Sequence, residues 1–123
     1  MNLRVLPGGF AICKLSRLPE AIPNSSFWFL SRTDEEISLV CRDEAVPDAC
    51  LCAERNWRLM RVDGPLDFSL VGILAELSGV LSQAGVSLFA VSTYDTDYIL
   101  VKARQYGAAL DALRGAGHAV YEE

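Results

Sequence analysis

This chain lacks any dense run of Lys or Arg. Its eleven basic side chains are scattered among sixteen acidic ones, for a net charge of -5. A polyanion is held by clustered positive charge, so nucleic acid is not an expected partner. Long apolar runs are missing too, and none approaches the length that spans a bilayer, so no membrane partner is expected. The first residues, "MNLRVLPGGF", lack the apolar core of a secretory signal, and the expected location is the cytoplasm. Histidine occurs once, at His118, where it is expected to open the last strand. Cysteine occurs four times, and only Cys50-x-Cys52 is a close pair. A zinc site needs a second such pair or a histidine cluster, so no metal site is expected. In a reducing compartment Cys13 and Cys41, both in apolar runs, read as buried thiols. Catalysis by an Asp95–Asp97 acid–base pair or by a Cys50–Cys52 redox pair would need a helper group. No histidine, phosphate loop or metal-spaced cluster stands nearby, so no catalytic residue, no cofactor and no enzymatic activity are expected.

What is present is apolar sequence, 51% of 123 residues, enough for one compact domain or two very small ones sharing a core. The second half is the easier to read. Trp57 to Gly64 is a strand candidate. In "LVGILAELSGVLSQAG", Leu70, Ile73, Leu74, Leu77, Val80, Leu81 and Ala84 form the stripe of an amphipathic helix. Asp67 or Ser69 can cap its start, and Gly85 can end it in the left-handed conformation. Gly79 in mid-helix is expected to be repaid by close packing on a sheet. Val86–Thr93 and Asp97–Ala103 read as a hairpin. "RQYGAALDALRGAG" is a second helix and "HAVYEE" a last strand. The order is β-α-β-β-α-β, with both helices on one face of a four-stranded antiparallel sheet.

The first half repeats that order in worn form. "FAICKLS" is a strand, and "LPEAIPN" is at most one helical turn between Pro19 and Pro23. "SFWFLSR" and "EISLVCR" form a hairpin around "TDE", and "VPDACLCAERN" is readable as a short helix with Pro47 in its first turn. The missing fourth strand is expected at Leu3–Leu6, turned back by "PGG" to lie antiparallel beside Phe10–Leu15. The expected organisation is therefore α+β, with two ferredoxin-like units, residues 1–56 and 57–123, the first of them circularly permuted.

The stretch "GPLDFSLVGILAELSGVLSQAGVSLFAVSTYDTDYILV", Gly64 to Val101, resembles an ACT domain, the small regulatory module that senses amino acids. "VGILAELSGVLSQAGVSL" is similar to the first helix of that family, with a glycine turn at its start and an exit into the second strand. "STYDTDYILV" is similar to the tandem-ACT group related to aspartokinase regulatory regions, which has small stand-alone members. The resemblance implies that the ligand is a free amino acid or a similar zwitterion. It would be met by Gly72 and Ile73 at the helix start, by Thr93, Tyr94 and Asp97 at the hairpin, and more weakly by Ser69.

Elementary chemistry agrees. A helix start offers unpaired N–H groups and partial positive charge to a carboxylate. Gly72 lets a ligand approach the backbone. Asp97 and strand carbonyls can accept from an ammonium, while Asp95 reads as a solvated turn residue. The alternative is an ACT-like protein-interaction module without a ligand, since fold alone does not establish function. Strand Val86–Thr93 is apolar at both parities, which calls for a cover on its second face and makes a homodimer the expected assembly.

Overall fold

A computed structural model describes residues 1–21, 27–63 and 72–123. The chain is mixed α+β. Its strands are β1 (Asn2–Val5), β2 (Phe10–Leu15), β3 (Trp28–Arg32), β4 (Ile37–Arg42), β5 (Cys50–Val62), β6 (Leu88–Ser92), β7 (Asp97–Lys102) and β8 (Ala119–Glu122). Its helices are α1 (Ile73–Gln83) and α2 (Tyr106–Gly115), and single 3-10 turns occupy Asp43–Ala45 and Ala103–Gln105. Two compact units result: Gly8–Trp57, and Arg58–Glu123 together with Met1–Pro7.

In the Gly8–Trp57 unit the strand order is β3-β4-β2-β5. All three pairs are antiparallel, and β5 contributes Cys50 to Trp57 opposite Leu15 to Phe10. Ala11, Cys13 and Leu15 of β2 meet Leu39 and Cys41 of β4 in a buried cluster, against which Trp28, Val46 and Cys50 pack. Burial, and then the neighbouring Cys41 and Cys50 thiols, push the Cys13 thiol up to about 12.

The other unit has the order β6-β7-β5-β1-β8. Its core joins Leu3 and Val5 of β1 to Met60 and Val62 of β5, Leu77 and Leu81 of α1, Ile99 and Val101 of β7, Leu113 of α2 and Val120 of β8. Of the helical stripe read from sequence, Leu77 and Leu81 are buried and Ile73, Leu74 and Val80 pack against them, whereas Ala84 is exposed just past the helix and Leu70 lies outside the described residues. Gly85 ends the helix as expected: at φ 73 it lets the Val86 N–H reach back to the Leu81 carbonyl at 2.9 Å.

Several expectations fail. Leu3–Leu6 does not pair with Phe10–Leu15, and the first unit is not permuted in that way. β1 runs antiparallel to β5, Leu3 opposite Val62, and parallel to β8, Leu3 opposite Val120. Both edges of β2 are already taken, by β4 and by β5, so it has no free edge for a third neighbour. Leu3 and Val5, 0% and 1% exposed, are instead buried against α1 and α2 core residues. The second sheet thus has five strands and one parallel pair, not four antiparallel strands. The short helix expected over "VPDACLCAERN" is the first part of β5. After Pro47 the chain makes only one turn, Cys50 N–H to Pro47 carbonyl at 3.1 Å, before pairing with β2. Gly79 does not pack on the sheet; it is exposed, and a Cβ there would meet nothing within 4 Å. Of "LPEAIPN", Leu18 to Ala21 are described and are not helical, while the remaining residues 22–24 and the Asp67 and Ser69 caps lie outside the described residues.

The two hairpins repeat each other in detail. Trp28 pairs with Cys41 and Arg32 with Ile37, as Leu88 pairs with Val101 and Ser92 with Asp97. Thr33 N–H closes its turn on the Glu36 carbonyl, and Thr93 N–H on the Thr96 carbonyl, both at 2.9 Å. In each, the second strand buries three successive residues, Leu39–Cys41 and Ile99–Val101, then enters a 3-10 turn.

Two outcomes follow from this packing. Leu3→Ala should cost about 2–5 kcal/mol, as for other fully buried leucines. Amide exchange should show protection lost around β8 and Arg58–Val62; loss confined to β2 and β4 would contradict the pairing of β1. Second, the fold favours the neutral Cys13 thiol, whose folded value lies above the unfolded one. Its stabilisation is full below the unfolded value of 9.0 and is lost as pH rises toward about 12. Denaturation midpoints across that window should fall more steeply in the parent chain than in Cys13→Ala.

Candidate functional site

The start of α1 is set by Gly72. Its φ of 80 and ψ of 5 are left-handed, a conformation that side chains resist by about 1–2 kcal/mol. The helix therefore begins at Ile73, and the Gly72 carbonyl accepts the Glu76 N–H at 2.8 Å. Among the described residues no side chain caps this end, and a helix start leaves its first N–H groups without intrahelical acceptors. Gly72 is exposed, and the space where its Cβ would stand holds no atom within 4 Å. Ile73 is half-buried against the core.

The hairpin between β6 and β7 closes on Thr93 and Thr96. Thr93 donates both its N–H, at 2.9 Å, and its hydroxyl, at 3.0 Å, to the Thr96 carbonyl. Thr96 is only 7% exposed, and its hydroxyl donates to the Val62 carbonyl at 2.6 Å. Tyr94 stands out at 81% exposure, Asp95 is exposed, and Asp97 is half-buried at the first position of β7, opposite Ser92. Neither Asp95 nor Asp97 makes an ion pair among the described residues. Asp63, the residue after β5, is already held by Arg4 at 3.6 Å.

The Thr96–Val62 bond ties the hairpin turn to β5. It fastens the hairpin turn to the last residue of β5, the end from which the chain runs on toward Gly72. The hairpin that carries Thr93, Tyr94 and Asp97 is thus tied to the end of β5. Ser69 lies outside the described residues. Thr96 is the residue for which sequence reasoning found no role. Its hydroxyl stood in the polar patch, but its burial and its partner 34 positions away in sequence carry no local signal.

The remaining reactive groups lie elsewhere. His118 does precede β8, but it is buried, with Nδ1 3.0 Å from the Met1 amine and Nε2 3.7 Å from the Glu76 carboxylate. Cys50 is half-buried and Cys52 exposed. Among the described residues no group of three or more His, Cys, Asp and Glu side chains is placed to hold a metal ion. Among the described residues no helix is long and apolar enough to cross a membrane.

Comparison with known proteins bears on this geometry. A family model described as the ACT domain matches residues 53–115, and a second model, described as an N-terminal domain, matches residues 8–49. A cytosolic arginine sensor for mTORC1, subunit 1, from Mus musculus is 36% identical over 59 residues, 47% of this chain. The chain spans only 18% of the length of the curated relatives it matches. A crystal structure of a protein from Agrobacterium tumefaciens superposes with a TM-score of 0.89 at 31% identity, covering 99% of this chain and 92% of that one. The regulatory subunit of aspartate kinase from Thermus thermophilus superposes at 0.58 with 11% identity, over 89% of this chain and 93% of that one, a likeness of fold alone. The matched residues 53–115 hold β5 from Ala53 onward, α1, the β6–β7 hairpin and α2, the elements that build the site: the chain belongs to the ACT domain family.

Proposed function

We propose that this chain is an amino-acid-binding regulatory protein of the ACT type, acting in the cytosol and without enzymatic activity of its own. One observation carries the reading. The Thr96 hydroxyl bonds the hairpin turn to the end of β5, and the helix start at Gly72 has no Cβ and, among the described residues, no side-chain cap. A zwitterion needs donors for its carboxylate and acceptors for its ammonium. The first N–H groups of α1 are the donors. Asp97 is the acceptor, with strand carbonyls near Thr93. Thr93 already gives its hydroxyl proton to Thr96, so its oxygen takes part as an acceptor. Tyr94 lies over the same turn, and Ser69 belongs to the preceding segment. Arginine heads the ligand panel, because a relative 36% identical over 59 residues is named an arginine sensor.

Both units fit the tandem form of the family, dividing near Trp57. Counted from β2, the order β3-β4-β2-β5 is that of a β-α-β-β-α-β sheet. The second unit has that order with β1 inserted between β5 and β8. The repeated hairpins support the same reading. A second copy of the chain is part of it as partner.

A thermal-shift panel of the twenty amino acids tests the ligand. A binder at 100 times its dissociation constant should add about 2.7 kcal/mol of apparent stability, a shift of several degrees in a domain of this size. Asp97→Asn should weaken binding by about 1.5–3 kcal/mol, the range of a charge-assisted hydrogen bond, and Asp95→Asn should do much less. Equal losses in the two variants, or none in either, would remove Asp97 from the site. A panel with no shift at millimolar concentration would leave the ligand-free interaction module. Thr96→Val should cost about 1–3 kcal/mol of stability by leaving the Val62 carbonyl unpaired, measured in denaturant without ligand.

A further inference from the structure

His118 is a buried titratable side chain for which the ligand site has no use. Its ring stands among the strand ends that carry that site. The Ala119 N–H meets the Met1 carbonyl, and the Asp63 N–H the Asn2 carbonyl, each at 2.9 Å. The starts of β1 and β8 therefore lie beside the end of β5, where Thr96 bonds the Val62 carbonyl. Only 3% of the His118 side chain is exposed. Its Nδ1 lies 3.0 Å from the Met1 nitrogen. That nitrogen is a donor, so Nδ1 accepts and the neutral ring carries its proton on Nε2. Nε2 is buried and has no hydrogen-bond partner among the described residues. It stands 3.7 Å from the Glu76 carboxylate, an ion-pair separation too long for a hydrogen bond. Glu76 is the one charged side chain of α1 and lies in its first turn, where its N–H bonds the Gly72 carbonyl at 2.8 Å. The other charged groups nearby are engaged elsewhere. On α2, Arg114 donates to the Val120 carbonyl at 2.8 Å and stands 3.9 Å from Glu122. At the end of β5, Asp63 is held by Arg4.

We propose that His118 is a proton-operated switch on the first turn of α1, and that its protonation tightens the binding of an amino acid at the Gly72–Ile73 helix start. A second ring proton goes to Nδ1. That nitrogen then stops accepting from Met1, and two donors face each other there. On its other side the charged ring gains Glu76 as counter-ion, and because the ring is dry the pair is little screened by salt. The ring thus has two ties, to β1 when neutral and to α1 when charged, and cannot hold both in full. Glu76 sets the sign of the effect on the ligand. A carboxylate in the first turn suits an empty helix start, but it repels a second carboxylate that comes to the same N–H groups. Pairing with the imidazolium cancels that repulsion. Affinity therefore rises as pH falls through the titration of the ring, and by linkage the bound amino acid favours the charged ring by the same factor. The ligand half of this inference rests on the amino-acid-binding reading above; the tie between the ring and α1 does not.

The chain has a single histidine, so NMR follows its ring without ambiguity. Without ligand, the backbone amide signals of Ile73 to Glu76 should move with the ring's titration in the parent chain. They should stay still over that range in His118→Gln, whose amide accepts and donates as the neutral ring does but takes no charge. Glu76→Gln, at a half-exposed site, should fold normally and lose most of the movement. Calorimetry with arginine as probe then tests the site at about pH 5.5 and about pH 8, on either side of the range where imidazoles titrate. The parent chain should bind about fivefold more tightly at the lower pH, and His118→Gln equally at both. Glu76→Gln should bind at the higher pH nearly as tightly as the parent does at the lower. First-turn amides that ignore the ring, or a His118→Gln profile that matches the parent's, would overturn the switch. Amides that follow the ring, with no arginine affinity at either pH, would support the tie to α1 and remove the arginine reading instead.

Discussion

Everything in this fold depends on how β5 spends its hydrogen-bonding edges. Its 13 residues are counted in two compact units, Cys50–Trp57 in one and Arg58–Val62 in the other. The first part closes the β3-β4-β2 sheet. The second begins the sheet that pairs with β1 and β7. Asn56 marks the change with a φ of 64, a left-handed conformation that Asn accepts more readily than most residues. Its N–H is held by the Asp43 carboxylate at 3.3 Å, and Arg55 donates to the Asp43 carbonyl at 2.8 Å. With β5 serving as the fourth strand of the first sheet, β2 has no edge left, and β1 is driven into the second.

That placement has energetic content. Burying an aliphatic side chain is worth about 1.5–3 kcal/mol, and β1 buries Leu3, Val5 and the following Leu6 almost completely. It also satisfies backbone groups on both sides: Leu6 N–H meets the Leu59 carbonyl, Asp63 N–H the Asn2 carbonyl, and Ala119 N–H the Met1 carbonyl, each at 2.9 Å.

The candidate site is built from few buried parts. Its Gly72, Thr93 and Tyr94 are exposed, Ile73 and Asp97 are half-buried, and the anchoring Thr96 is buried. One hydroxyl-to-carbonyl bond in a dry setting fastens the turn to β5, where such a bond is stronger than in water and an orphaned carbonyl more costly. The corresponding turn in the other hairpin closes through Thr33 in the same way. It has Glu36 at the place of Thr96, exposed, so the same anchoring hydroxyl is absent there.

Local pattern was enough for α1, α2, both hairpins and β8, because each is specified by contacts within a few positions: a 3.6-residue stripe, a left-handed glycine stop, a short polar turn between apolar runs. The polar patch at 93–97 was legible for the same reason, whereas local pattern began the helix at Leu70 and only the likeness to a family pointed to a glycine turn at its start. The partner of Leu3–Leu6, the conversion of "VPDACLCAERN" from helix to strand, the idle Gly79 and the anchoring role of Thr96 were not. Each depends on which edge, face or carbonyl remains unclaimed after distant segments have packed. An apolar run announces that it will be buried, but only the filled sheet decides beside which strand.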